Sequence, residues 1–424
     1  MGTLIRHRWQ ANPSGGGSRA DRRGCEYDAF LPDALAGRTF LFDGNVAADV
    51  AEAESAVTRL NVEARALGDY ETIARLLLRA EAVSSSRIEG LELGGRRLLR
   101  QEAASMLGEP TTDVTASEVL GNIRAMQWAV SGAVERDELR ITDLLEIHRL
   151  LLDGTSREKH AGRLREEQNW IGGSSFNPCS AAFVPPPPQE VPNLLKDLCD
   201  FCNEDELPAV AQAAIAHAQF ETIHPFVDGN GRTGRALIHV ILRRRGLTPR
   251  VLPPISLVLA TWSRDYVDAL TGTRTASPPD SEPARAGLNR LVGLFAAALS
   301  RAVEDASAYE AEVVELQQQW AHRLGRVRSG SATDLLLRKL PAMPILNVTG
   351  AAAAIRRSYL ATNTAVERMV AAGVLRPVTV GRRNRAFEAT EAIDAFTDLE
   401  RRLASPDGDT LVAPPVRRVP QRRP

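Results

Sequence analysis

Apolar residues recur at helical spacing over most of this chain, and that spacing constrains its fold more than any other feature. Val50, Ala53, Val57 and Leu60 follow one another at intervals of three or four positions, and similar patterns continue to about residue 324. Hydrophobic residues make up 44% of the 424 positions, which is enough to bury more than one core. The sequence therefore predicts a mainly α protein of several domains.

The helical pattern is interrupted in three places. Between residues 163 and 188 it gives way to Trp170, Gly172, Gly173 and a run of prolines, which predicts a small β-hairpin or exposed flap. Residues 1–28 are rich in Gly, Arg, Asp and Asn, so we expect a disordered N-terminal tail. Residues 401–424 are rich in Pro and Arg and predict a basic tail.

Residues 331–400 have a different pattern of short helices followed by two short strands. Three helices and a two-stranded wing predict a winged helix-turn-helix domain. Several polar side chains are expected to face outward from its second helix and its wing: Thr362, Asn363, Thr364, Arg368, Arg382, Arg383 and Arg385. This layout is compatible with phosphate contacts to DNA, and equally with a module that docks a protein or forms a homodimer.

Charge and cysteine content limit the general class of protein. Lys and Arg total 52 against 53 Asp and Glu, so the net charge of -1 provides no overall attraction to nucleic acid or to a membrane. The four cysteines are too few and too irregularly spaced to predict a disulfide framework. With no long apolar stretch, the sequence predicts a cytoplasmic protein in a reducing environment that makes no membrane contact.

The segment HPFVDGNGRTGR, residues 224–235, carries the chemistry. Gly229 and Gly231 permit a sharp turn whose N–H groups converge on an anion at the start of the following helix. Arg232 and Arg235 lie three positions apart, hence on one face of that helix, where their guanidinium groups can bind further phosphate oxygens. This pattern predicts a ligand with a chain of phosphates.

Two further side chains complete the predicted site. The Asp228 carboxylate could hold Mg²⁺ that bridges phosphate oxygens. His224 titrates near neutral pH and can accept a proton from an attacking hydroxyl group.

These residues resemble the Fic family, because they match its HPFx[D/E]GNGRxxR motif at every fixed position. The resemblance implies a Fic-type helical core at residues 116–324, with His224 as general base and Asp228 as magnesium ligand. It also implies that Gly229, Asn230 and Gly231 form an anion hole. The implied reaction is attack by a Ser, Thr or Tyr hydroxyl on the α-phosphate of ATP, which transfers AMP to a target protein and releases diphosphate.

A second resemblance lies upstream, in residues 85–90. Ser85 and Glu89 match the family's inhibitory [S/T]xxxE[G/N] motif, which implies an N-terminal helical domain at residues 29–115 that carries the inhibitory helix. By that resemblance Glu89 pairs with Arg235, so that ATP cannot adopt a productive pose while ADP is tolerated. Taken alone, the segment also fits an ordinary helix end with Gly90 as its stop.

The sequence therefore predicts a Mg²⁺-dependent protein adenylyltransferase that is inhibited by its own Glu89. One alternative uses the same site in reverse and removes AMP from a modified protein. Another transfers a different phosphate-containing group. A third is a DNA-binding regulator whose core only senses nucleotide, although such a sensor would need no general base.

Overall fold

A computed structural model describes residues 1–14, 16–66, 70–106, 113–380 and 384–403. Helices dominate these ranges, which confirms the prediction of a mainly α protein. The predicted basic tail lies outside the described residues from position 404 onward.

The described elements fall into helices and short strands. The helices, in chain order, are α1 (Gly44–Ala66), α2 (Tyr70–Ile88), α3 (Gly95–Met106), α4 (Val114–Ser131), α5 (Ile141–Leu152), α6 (Val191–Asn203), α7 (Ala209–Ile223), α8 (Asn230–Arg244), α9 (Ile255–Thr261), α10 (Ser263–Gly272), α11 (Glu282–Leu324), α12 (Ala332–Lys339), α13 (Val348–Ile355), α14 (Tyr359–Ala371) and α15 (Thr390–Leu403). The strands are β1 (Gly2–Trp9), β2 (Cys25–Pro32), β3 (Ile345–Leu346), β4 (Arg376–Val380) and β5 (Asn384–Glu388).

The chain packs into two compact units, and each unit is assembled from several segments rather than from one consecutive range. The first unit comprises Met1–Ser55, Arg124–Thr248 and Ser263–Ala297. The second comprises Ala56–Ile123, Pro249–Trp262 and Ala298–Pro424. The sequence patterns had suggested consecutive domains, because periodicity along the chain does not reveal which segments pack together.

Helix α7 is the centre of the first unit. Every residue from Ala209 to Ile223 is buried, and six of these fifteen are alanines, so neighbouring helices can approach the backbone closely. α7 packs against α6, α8 and β2. Helix α5 packs against α8. The loop that carries the Fic-like motif joins α7 to α8.

The N-terminal residues form a β-hairpin, so the prediction of a disordered tail at residues 1–28 is wrong. β1 and β2 pair antiparallel, with Gly2 opposite Pro32 and Trp9 opposite Cys25. Along β1, the half-buried Ile5 alternates with exposed neighbours, the two-residue period of a strand. The connection between the two strands is rich in Gly and Arg and dominates the composition of residues 1–28. A prediction from composition therefore missed the alternation along β1.

The hairpin is fastened to the segment between α5 and α6. Cys25 forms a disulfide with Cys179, which contradicts the expectation that the cysteines stay reduced. Nearby, the Ser174 hydroxyl donates to Asp21 Oδ1, and Trp9 meets Trp170 edge to face with ring centroids 5.5 Å apart. The predicted flap lies here, although its strand pairing is limited to a single bridge between Ile171 and Phe183.

In the second unit, α2 packs against α9 and is anchored by a buried carboxylate. Glu81, completely buried, accepts hydrogen bonds from the backbone N–H of Ser256, at 2.8 Å, and from its hydroxyl. Buried Asn61 on α1 holds the chain that precedes α9: its Oδ1 accepts from Arg250 and Val251 N–H at 3.0 Å. Its Nδ2 donates to the carbonyls of Val57 and Val251 at 3.1 Å. These contacts fix α2, the helix that leads to Glu89.

The C-terminal elements of the second unit surround a buried acidic side chain. Strands β3, β5 and β4 form a three-stranded antiparallel sheet in that order. Glu388 at the end of β5 is fully buried and contacts Arg376 on β4, Arg96 Nη1 at 3.3 Å and Arg100 Nη2 at 3.4 Å. Because Arg96 and Arg100 belong to α3, this carboxylate joins the sheet to the N-terminal helices. Among the described residues, no helix has the length and apolar character needed to span a membrane.

Candidate active site

The predicted site lies in the tight loop between α7 and α8. His224 ends α7 in the left-handed conformation, with φ 49° and ψ 60°, and its N–H bonds to the Phe220 carbonyl at 2.9 Å. Gly229 is the residue before α8 and has φ 78°, a value that favours glycine. A side chain on Gly229 would also lie 2.8 Å from the Leu151 side chain. The loop therefore reverses direction in six residues and leaves the start of α8 next to the end of α7.

Asn230 braces this loop from within. Its Oδ1 accepts the Phe226 N–H at 2.8 Å and its Nδ2 donates to the Phe226 carbonyl at 2.9 Å. The side chain thus has both functional ends engaged with the loop backbone. Any contact of Asn230 with an anion would have to come from its backbone N–H at the start of α8.

The backbone of His224 is held by the base of the flap. Its carbonyl accepts from Arg165 Nε at 2.9 Å and from Asn169 Nδ2 at 3.2 Å. Arg165 also donates to the carbonyl of Pro186 and is nearly buried, and this burial lowers the pKa of its guanidinium to about 10. The imidazole itself is 21% exposed, so a group bound at the surface can reach it. The predicted base is therefore fixed at its backbone and accessible at its ring.

His148 on α5 is a contact of this loop that the sequence did not reveal. Its Nδ1 accepts the Gly162 N–H at 3.1 Å, so the proton resides on Nε2, which donates to the Asp228 carbonyl at 2.9 Å. The ring stacks on Phe226 with centroids 3.7 Å apart. Burial lowers the pKa of His148 to about 4, so it stays neutral and orients the Asp228 backbone. Its apolar neighbours at helical spacing along the sequence are equally typical of a histidine that only packs in the core.

The Asp228 carboxylate lies at the mouth of the loop. It is 38% exposed, its Oδ1 accepts the Gly229 N–H at 2.6 Å, and Arg157 Nε lies 3.6 Å from Oδ2. Arg232 Nη2 lies 3.7 Å from Oδ1. Among the described residues, no group of three or more His, Cys, Asp and Glu side chains is arranged to hold a metal ion. A cation at this carboxylate would thus need ligands from a bound molecule and from water.

The two arginines of the motif lie on the first turns of α8. Arg232 is 3% exposed and Arg235 is 1% exposed. Guanidinium groups removed from water in this way interact more strongly with an anion than exposed ones do. Gly231 is also buried in the first turn, so little side-chain volume stands over the helix N-terminus.

Ser85 and Glu89 lie at the end of α2, in the second unit. Ser85 is completely buried within the helix, which ends at Ile88. Glu89 is exposed in the turn that follows, where its N–H bonds to the Ser86 carbonyl at 3.1 Å. Gly90 is left-handed, with φ 79°, as in a helix C-cap. The end of the helix is thus built as the sequence suggested, with a carboxylate at its tip.

The prediction that Thr362 faces outward from the C-terminal helix α14 is wrong. Thr362 is fully buried and its hydroxyl donates to the Ser358 carbonyl at 2.9 Å. Arg368 Nη2 donates to the carbonyls of Leu324, at 2.7 Å, and Arg326, at 2.9 Å. Thr362 therefore serves the packing of the helix, whereas Arg368 is exposed, as expected.

Other predicted contact residues of this region have separate outcomes. Thr364 and Arg385 are exposed, as expected. Asn363 is half-buried and donates to Glu367 at 2.8 Å. Arg382 and Arg383 lie outside the described residues.

Comparison with known proteins relates two parts of the chain to one family. Residues 138–242 match the model described as "Fic/DOC family", and residues 47–131 match that described as "Fic/DOC family N-terminal". The first match contains the whole α7–α8 loop, and the second contains α2 and Glu89.

Relatives with assigned names match a shorter region. "Protein adenylyltransferase fic-1" of Caenorhabditis elegans is 35% identical over 173 residues, which is 39% of this chain and 32% of that protein. "Protein adenylyltransferase Fic" of Drosophila willistoni is 36% identical over 140 residues, 32% of this chain and 26% of that protein. The chain thus matches a third or less of the length of these relatives.

A solved structure shares the fold over a larger region. The crystal structure of a Fic family protein from Desulfovibrio desulfuricans G20 aligns with a TM-score of 0.51 at 20% identity. The alignment covers 82% of this chain and 97% of that one. It confirms the expected Fic-type helical fold.

Proposed function

We propose that this chain transfers AMP from ATP to a hydroxyl group of a protein substrate. The observation that carries the proposal is the α7–α8 loop. It places the accessible His224 imidazole beside the start of α8, where glycines leave the backbone N–H groups uncovered and two arginines are buried. The match of residues 138–242 to the Fic/DOC family supports it. So does the name protein adenylyltransferase carried by relatives that are 35% and 36% identical over the matched region.

In the proposed mechanism, His224 accepts the proton of the attacking Ser, Thr or Tyr hydroxyl. The oxygen then bonds to the α-phosphorus of ATP, the bond from that phosphorus to the β-phosphate bridge breaks, and diphosphate leaves. N–H groups of Gly229, Asn230 and Gly231 at the start of α8 bind the phosphate oxygens. Arg232 and Arg235 neutralise the charge that develops on the leaving group.

Asp228 is the residue we assign to Mg²⁺. One partly exposed carboxylate suits this ion, which usually takes one or two protein carboxylates and completes its shell with substrate phosphates and water. When bound, the ion would neutralise phosphate oxygens. The neutral His148 helps by holding the Asp228 carbonyl through its Nε2–H.

We further propose that Glu89 inhibits the site by competing with the γ-phosphate of ATP for Arg235, with ADP tolerated. The match of residues 47–131 to the family's N-terminal model supports a shared arrangement of α2. The buried contacts of Glu81 hold α2 in a defined position, as a helix that presents an inhibitory carboxylate must be held. Ser85 lies on the same helix, one turn before Glu89, and is buried.

We propose that the target polypeptide binds along the flap. Arg165 connects the carbonyl of Pro186 in the flap with the carbonyl of His224, so a segment bound along the flap lies near the base. Extended segments commonly bind such edges by main-chain pairing.

We assign the C-terminal elements to a winged helix, because helix, strand, two helices and two strands follow in that order from α12 to β5. Its exposed Arg356, Arg357 and Tyr359 suit a contact with DNA or protein, homodimer formation included.

We also propose a cytoplasmic location for the protein. The Cys25–Cys179 disulfide is the observation that opposes this location, because disulfides are rare in the reducing cytoplasm.

The test is self-labelling and target labelling with ATP that carries the label at the α-phosphate. We expect Glu89→Gly to label more strongly than the unmodified chain, and His224→Ala in that background to lose about 10²-fold or more in rate. His322→Ala, which changes an exposed histidine on α11, serves as the matched control and should leave labelling unchanged. Label at the γ-phosphate should not be transferred.

Three outcomes would contradict parts of the proposal. Equal labelling by Glu89→Gly and by the unmodified chain would refute the proposed inhibitory role of Glu89. Labelling that persists in His224→Ala would refute the assignment of His224 as the general base. Loss of label from a pre-modified target on incubation with the unmodified chain would identify the reverse reaction as the activity.

A further inference from the structure

Glu221 lies one turn before His224 on α7 and faces the imidazole. Its Oε2 is 3.9 Å from His224 Nδ1, and its side chain is only 10% exposed. Glu221 is on the last turn of α7, a helix that is buried along its whole length, so the carboxylate cannot simply turn away into water. A buried carboxylate next to an imidazole favours the protonated ring and selects which nitrogen carries the proton.

The position of Glu221 is fixed by the neighbouring helix. A side chain on Gly234 of α8 would place its Cβ 2.8 Å from Glu221 Oε1, so the carboxylate lies directly against the α8 backbone. That Cβ would also lie 2.9 Å from the Phe220 ring and 3.1 Å from His217 Nδ1. The glycine one position before Arg235 thus leaves the space that Glu221 occupies.

A cation lies on the other side of this turn. Arg274, after α10, donates to the Glu221 carbonyl at 3.3 Å, and its guanidinium stacks on the Phe183 ring of the flap at 3.9 Å. Burial lowers the pKa of Arg274, and the charge of Glu221 opposes that effect. Glu221 therefore sits between a charged group that contacts the flap and the imidazole of the site.

From this arrangement we infer that Glu221 is a positioning residue that holds His224 Nδ1–H and so presents Nε2 as the base. The inference rests on the proposed function, because it concerns the same histidine. When His224 takes the proton of the attacking hydroxyl, the ring becomes a cation and Glu221 stabilises it, while the proton count on Glu221 does not change. The separation of 3.9 Å is longer than a hydrogen bond, as is common before substrate binds, and closes by a small movement of either side chain.

Other charged groups lie on the elements packed around this turn. They are Arg165 from the flap base, Asp228 from the loop, Arg232 and Arg235 from α8, and Arg274. His217 on α7 is neutral, because burial lowers its pKa to about 3. A substitution at Glu221 leaves these side chains in place, but loss of its charge also acts on Arg274, so the comparison of Gln with Asp, which keeps the charge, tests the carboxylate.

The experiment compares Glu221→Gln with Glu221→Asp in the Glu89→Gly background. With Gln, we expect the labelling rate at saturating ATP to fall about 10-fold or more, because an opposite charge at this range shifts a proton equilibrium by about one pH unit or more. The acid limb of the pH profile should move to lower pH, since the ring loses its stabilising anion. Asp keeps the charge and should retain the position of the acid limb, while ATP affinity measured by calorimetry should stay the same in both variants.

Two further variants separate this role from simple loss of structure. Gly234→Ala reaches the carboxylate from α8 and should reproduce the slower labelling by displacing it. Glu206→Gln, which changes an exposed glutamate in the loop before α7, is the matched control and should leave rate and profile unchanged. An acid limb that Glu221→Gln does not move, or a rate loss of the same size in Glu221→Asp, would overturn the inference.

NMR distinguishes failure of this inference from failure of the proposed function. The titration midpoint of the His224 ring can be followed in labelled protein without any turnover. A lower midpoint in Glu221→Gln supports the contact even if no AMP is transferred. An unchanged midpoint refutes it even if the chain proves to be an adenylyltransferase.

Discussion

Reduction of the Cys25–Cys179 disulfide should destabilise the first unit. The bond joins residues 154 positions apart, so it closes a very long loop in the unfolded chain. The chain-entropy relation for a loop of that size gives about 17 cal/mol/K, or about 5 kcal/mol near room temperature. This is an upper estimate, because native disulfides of small domains typically contribute about 2 to 4 kcal/mol.

The assay has two stages. Thiol titration in denaturant should find the two buried cysteines, Cys199 and Cys202, in untreated protein and all four after reduction. Urea unfolding should then show a lower midpoint for the reduced chain than for the oxidised chain. The double variant Cys25→Ser with Cys179→Ser serves as control, since its midpoint should not respond to reductant.

Two results would refute this reasoning. Four reactive thiols in untreated protein would show that the bond does not form, in agreement with the reducing environment predicted from the sequence. An unchanged midpoint after complete reduction would show that the bond closes no loop of importance to the unfolded chain.

Two more predictions concern the second unit. Asn61→Ala should lower the free energy of unfolding by about 2 to 4 kcal/mol, because it removes the side-chain partners of the buried Val251 N–H and carbonyl, and urea denaturation against the exposed control Glu63→Ala measures it. Burial alone would raise the pKa of Glu388, but Arg376, Arg96 and Arg100 together outweigh it and the net pKa is lowered. Its contribution to the free energy of unfolding is therefore present above its ordinary pKa of 4.5 and is lost as pH falls through the lowered value. Thermal unfolding at falling pH, compared with Glu388→Gln, checks the sign.

The parts of the site that the sequence predicted are those set by neighbours along the chain. The glycines around Asn230 and the arginine pair lie within twelve positions, so a turn, a helix start and a shared helix face follow from spacing alone. The histidine at the end of α7 belongs to the same short segment. Local rules of this kind do not depend on the rest of the fold.

The parts that escaped prediction depend on contacts between distant segments. His148 and Arg165 reach the loop from other elements, 80 and 59 positions from their partners Asp228 and His224. Nothing in their own neighbourhoods distinguishes them from a buried histidine or a surface arginine. The disulfide was missed for the same reason, since the pairing of Cys25 and Cys179 depends on a hairpin that composition had hidden.

The buried carboxylate of Glu388 couples the position of α3 to that of the C-terminal sheet, because it contacts arginines of both. A molecule that binds near Glu388 and displaces Arg96 and Arg100 would weaken the attachment of α3 to the sheet, and α3 follows directly on the turn that carries Glu89. Hydrogen exchange in α3 and β5 should therefore change together when either is perturbed. A change at the C-terminal sheet would then reach the end of α2 through this one charge cluster.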